Sequence, residues 1–95
     1  MATLNYEQFL NKIDQLEEAN TLIAALEFRV FTHLGQRKLT SRTLAKKAGI
    51  HPEGADSLLY ALVSLGALKS DGNTFMNSTE SFRHFCEHSP EYKLG

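Results

Sequence analysis

His84-Phe85-Cys86-Glu87-His88 fits H-x-x-E-H, the inverted form of the zinc-peptidase helix motif. On one helix, His84 and His88 would lie four apart on a shared face, so both imidazoles could reach one metal. Glu87 would then be the general base. Peptidase chemistry also needs a third ligand, an open coordination position and a cleft. After His88 the only carboxylate is Glu91, across Pro90, and His33 and His51 belong to other elements with no ligand spacing. We therefore expect no catalytic, cofactor-binding or metal residue in this stretch, and His84, Glu87 and His88 to be solvated. Cys86 could be a reactive thiol if exposed beside cations. The reading we favour makes it a small buried hydrophobe.

The elements that would hold these residues are mostly helical. Phe9, Ile13 and Leu16 recur at helical spacing, with Glu7, Lys12, Asp14 and Glu17 elsewhere, which predicts a first amphipathic helix over 5–18. A second helix is expected from Asn20 or Thr21 to Leu34, closed by Gly35. It is apolar on more than one face, through Leu22, Ile23, Ala25, Leu26, Phe28, Val30 and Phe31. Such a helix must be covered on most sides, and a chain of 95 residues has little to cover it with. A partner chain is the simplest solution.

Thr40 can cap the next helix, which buries Leu44, Ala45 and Ala48 and stops at Gly49. Pro52 suits the first turn of another, running to about Leu65 with Gly66 as its cap and Ala55, Leu58, Leu59, Leu62 and Val63 inward. Asp71-Gly72-Asn73 then joins two short strands, 67–70 and 74–77, as a hairpin. Ser78 or Thr79 caps a last helix over roughly 80–88, and Pro90 breaks it. Helix-turn-helix plus hairpin is a winged helix, so the expected class is mainly α, with dimerisation helices at 1–35, the winged helix at 36–79, and a short helix and linker at 80–95.

A winged helix invites a DNA-binding reading, and a stand-alone transcription regulator is the alternative function. Base readout needs Arg, Lys, Asn or Gln on the recognition helix. Residues 52–65 have none and carry Glu53 and Asp56. A basic group does exist, Arg37, Lys38, Arg42, Lys46 and Lys47, but it precedes and occupies the supporting helix. Net charge is −1 with both signs spread along the chain, so no nucleic-acid or anionic-membrane partner is indicated. A single cysteine excludes an internal disulfide and suits a cytoplasmic setting. No leader and no membrane span is expected. A dimeric scaffold without any site is a third possibility.

One combined pattern is specific: Leu22, Ala25, Val30, Phe31 and Leu34, then Leu39-Thr40, Leu44-Ala45, Gly49, Pro52, Leu58-Leu59, Leu62, Leu65-Gly66 and Leu68. It resembles the N-terminal winged-helix dimerisation domain of S-adenosylmethionine-dependent small-molecule O-methyltransferases, in their plant-type and bacterial antibiotic-pathway branches. The likeness runs from about Leu22 to the end, including Ser89-Pro90-Glu91-Tyr92 and Leu94-Gly95. It implies a homodimer and a role in closing the acceptor pocket of the whole enzyme, with no catalysis by this chain. It also implies that Phe85 packs the last helix down. S-adenosylmethionine is expected in an absent catalytic domain, because no strand–GxGxG–helix stands here. The chain thus reads as a fragment or a shortened paralogue. Phe9, Ile13, Leu16, Ile23, Leu26 and Val30 are the expected dimer-interface residues, some of them shared with the core.

Overall fold

A computed structural model describes Thr3 and residues 5–92. Its first helix, α1, is Tyr6–Glu27. Asn5 and Gln8 form a capping box: the Asn5 side chain accepts from the Gln8 N–H at 2.9 Å, and the Gln8 side chain accepts from the Asn5 N–H at 3.0 Å. The break expected near Asn20 is absent. Thr21 donates its hydroxyl to the Glu17 carbonyl at 2.9 Å, so it serves the running helix rather than starting a new one.

The break falls instead at Phe28-Arg29. Arg29 is left-handed (φ 57°), the one non-glycine residue with positive φ among the described residues. Its N–H bonds back to the Leu26 carbonyl, and α2, Val30–Leu34, leaves in a new direction. Gly35 ends α2 as expected, donating to Phe31.

Local signals fix the next elements. α3 is Ser41–Ala48, capped by the Thr40 hydroxyl and stopped by left-handed Gly49. α4 is Pro52–Ser64, with Pro52 in its first turn and the His51 ring accepting from the Glu53 N–H. Leu65, not Gly66, is its C-cap; Gly66 follows at φ 83°.

Strands β1, Leu68–Ser70, and β2, Phe75–Asn77, pair antiparallel, with Leu68 opposite Asn77 and Ser70 opposite Phe75. Each is shorter than expected. Leu39 adds a bridge, exchanging both backbone bonds with Phe75. Asp71 closes the turn, accepting from the backbone N–H of Asn73 and Thr74 at 3.0 and 2.8 Å. α5 is Thr79–Phe85, capped by Ser78. The chain is thus mainly helical with one small two-stranded sheet.

The core joins all these elements: Ala25, Val30, Phe31, Leu34, Leu44, Leu59, Leu62, Leu68 and Phe75. Buried Asn77 ties the hairpin to the end of α2, donating to the carbonyls of Phe31 and Gly35, each at 2.9 Å. Asn77 is a second donor to the Phe31 carbonyl, which also accepts from the Gly35 N–H, and it serves the Gly35 carbonyl at the helix end. The N-terminal part of α1 takes no part in this core. Every residue from 6 to 20 is exposed, and the molecule measures 47 × 31 × 23 Å. Its radius of gyration, 14.8 Å, exceeds the roughly 12 Å of a compact chain this long. The first four turns of α1 are an arm.

Candidate dimer interface

The metal reading of residues 84–88 fails on geometry. α5 stops at Phe85, and Cys86 is extended (φ −87°, ψ 124°), so His84 and His88 do not share a helical face. Two side chains draw the chain out of the helix. The Glu87 N–H donates to the Thr32 hydroxyl at 3.0 Å, and the Ser89 hydroxyl donates to the Arg83 carbonyl at 2.7 Å. Glu87 is not simply solvated, since it lies 3.5 Å from Arg29. His84 is half-buried and faces Glu80 at 3.1 Å. Among the described residues, no three of His, Cys, Asp or Glu come together as metal ligands. Phe85 packs on Phe31, ring centres 5.2 Å apart, and Cys86 is fully buried, both as expected.

What the fold does present is an apolar helix face. Phe9, Ile13 and Leu16 are 54, 50 and 62% exposed, and Ile23 and Leu26 follow at 52 and 37%. On α1 these positions form one stripe, at spacings of four, three, seven and three. Residues that touch the chain's own body (Thr21, Leu22 and Ala25) lie on another side, so the stripe faces outward. Val30 leaves the expected set. It lies beyond the left-handed break, is fully buried, and belongs to the chain's own core.

The expected interface set left out Tyr6, Leu10, Phe28 and Tyr60, all large and exposed, although Phe28 was among the apolar residues expected to need cover. Tyr6 was detectable, three residues before Phe9 on the same stripe. Tyr60 was not, because its place at the edge of Phe75, ring centres 5.3 Å apart, is set by tertiary packing.

An open groove of about 370 Å³ lies at the α1–α2 break, walled by Leu26, Phe31, Phe85 and Tyr92, with Arg29 and Glu87 at its rim. Nearby, His33 has its pKa lowered, first by burial and then by the positive charges of Lys47, Arg29 and Arg37, partly countered by Glu87. The strand–helix junctions carry no glycine-rich loop: β2 passes through Asn77 to Ser78, which itself caps α5. The described residues therefore do not fit a nucleotide-type cofactor. The last three residues, including the Leu94-Gly95 likeness, lie outside the described ones.

A family model for the O-methyltransferase dimerisation domain matches residues 12–87. The chain belongs to that family. This dimerisation domain is 41% identical over 78 residues to the tetracenomycin polyketide synthesis 8-O-methyl transferase of Streptomyces glaucescens. The match takes in 81% of the chain and 23% of that relative, so the domain spans about a quarter of its length. Among solved structures it resembles an O-methyltransferase family protein from Burkholderia thailandensis (27% identity, TM-score 0.81, 96% of this chain and 27% of that one). It also shares its fold with human N-acetylserotonin methyltransferase in complex with SAM (23% identity, TM-score 0.80, 97% and 27%). No helix of the dimerisation domain, among the described residues, is long and apolar enough to cross a membrane.

Proposed function

We propose that this domain assembles the homodimer of a SAM-dependent small-molecule O-methyltransferase and helps close its acceptor pocket. The observation that carries the reading is the outward apolar stripe of α1, in a chain whose family is defined by dimerisation. Covering such a stripe yields about 25 cal/mol for each Å² of apolar surface removed from water. Residues 1–35 then act as the dimerisation segment. Residues 36–79 form a winged helix that serves as scaffold, and 80–95 lead toward a catalytic domain.

S-adenosylmethionine would be bound by that other domain, in keeping with the SAM complex of the human structural relative. The groove beside Arg29 and Glu87 is the surface offered to the acceptor side, because it opens where the apolar stripe ends. A cytoplasmic setting suits the single buried thiol of Cys86. The exposed side of α4 favours scaffolding over base readout, since it presents Glu53 and Asp56 and no basic residue.

Ile23→Asp together with Leu26→Asp tests the interface by sedimentation equilibrium. Both side chains are already partly exposed, so the monomer fold is expected to survive by circular dichroism while the dimer is lost. A folded variant that dissociates as the wild type does would refute this interface.

A further inference from the structure

Asp71-Gly72 carries a reactivity unrelated to assembly, and it is the one Asp-Gly or Asn-Gly pair in the sequence. The Gly72 amide nitrogen can attack Cγ of the Asp71 side chain. A nitrogen–carbon bond forms, the amide proton leaves with the carboxyl hydroxyl as water, and a five-membered succinimide results. Water then opens the ring. Addition at Cγ restores aspartate. Addition at the Asp71 main-chain carbonyl leaves isoaspartate, with the chain running through Cβ and Cγ. Glycine permits the attack because it has no side chain beside its nitrogen. The carboxyl must be protonated, since a carboxylate is a poor electrophile.

No steric shield covers this pair. Asp71 and Gly72 are both exposed, and a methyl group placed on Gly72 would meet nothing within 4 Å. Hydrogen bonds occupy both reacting groups instead. Asp71 Oδ1 accepts from the Asn73 N–H at 3.0 Å, the Thr74 N–H at 2.8 Å and the Thr74 hydroxyl at 3.0 Å. Its Oδ2 faces the same hydroxyl at 3.0 Å. Donation from Thr74 and Asn73 keeps this carboxyl ionised through neutral and mildly acidic pH. On the other side, the Gly72 N–H donates to the Ser70 Oγ at 3.0 Å. Ser70 is fixed in turn by donating its hydroxyl to the Thr74 carbonyl at 3.0 Å. The electrophile is held in its unreactive form, and the nucleophile is engaged elsewhere.

We infer that Asp71-Gly72 is a latent isoaspartate site, silenced in the folded hairpin by Ser70 and Thr74 and open to reaction only when the turn opens. Isoaspartate lengthens the turn by one main-chain atom and makes the Asp71 α-carboxylate the side group. The turn that sets Ser70 opposite Phe75 cannot then re-form unchanged. The modification is therefore a lasting record of hairpin opening. It needs no enzyme and no reactant besides water.

The test ages the chain at physiological temperature, folded and in guanidinium chloride. The peptide holding Asp71 is then resolved from its isoaspartyl isomer by chromatography with electron-transfer fragmentation. Folded wild type is expected to isomerise at least about tenfold more slowly than denatured chain, because reaction is limited to the open fraction. From about pH 7 to about pH 4 the denatured rate should rise as its carboxyl protonates, while the folded rate should not follow. Ser70→Ala/Thr74→Val removes the two hydroxyls and should speed the folded rate severalfold, leaving the denatured rate unchanged. Thr74→Ser keeps its hydroxyl and should stay protected, which separates loss of these bonds from a general loosening of the hairpin. Folded wild type isomerising as fast as denatured chain would overturn the inference. So would a double variant that stays as slow as wild type.

Discussion

The two ends of α1 are the same helix in opposite circumstances. Around Ala25 it is part of a closed core, packed with Phe31, Leu34 and Leu62. From Tyr6 to Asn20 every residue is exposed, with Asp14, Glu17 and Glu18 bordering a groove at the end of α4, although the helix is just as apolar along one stripe. An isolated helix of this length is marginal in water. The comparison teaches that burial, not pattern, decides where a helix gets its stability. The body is held by its own core, and the arm by whatever covers it.

The same substitution in the two regions should have very different effects. Leu62→Ala opens a cavity at a fully buried site and is expected to cost about 2–5 kcal/mol in chemical denaturation. Leu16→Ala, at a 62% exposed site, should change monomer stability by no more than about 0.5 kcal/mol and act instead on association. Equal losses in dilute, monomeric protein would break the distinction. Asn77→Ala is the intermediate case. It removes the side-chain donor of the Gly35 carbonyl and leaves the Phe31 carbonyl with the Gly35 N–H alone, and should cost about 1–3 kcal/mol, read from the same denaturation curves.

The smallest expected effect lies in the hairpin turn. Backbone donation from Thr74, then from Asn73, and then the Thr74 hydroxyl hold the pKa of Asp71 down to about 2. Folding thus favours the ionised carboxylate. Its contribution is complete above the ordinary carboxylate range and disappears as pH falls from about 4 toward about 2. The amide resonances of Asn73 and Thr74 should shift over that window and cease to do so in Asp71→Asn.

Legibility followed the range of the forces involved. Thr40, Gly49, Pro52 and Asp71-Gly72 act within three or four residues, so the starts and stops they impose were readable. The continuity of α1 past Asn20 was not, because Thr21 could either cap or bond backward. The turn at Arg29 was not either, since a left-handed arginine has no local signal. That turn is what sends Val30 into the core while Ile23 stays outside. The end of α5 at Phe85 depends on Thr32, far away in sequence. Of the expected interface, the five residues on α1 are exposed, and the one beyond the break is not.

Amide hydrogen exchange as a function of protein concentration tests the central claim most directly. If the arm is stabilised by a second copy, protection across residues 6–20 should rise with concentration while that of α4 stays constant. Protection of the arm that is independent of concentration would contradict the account.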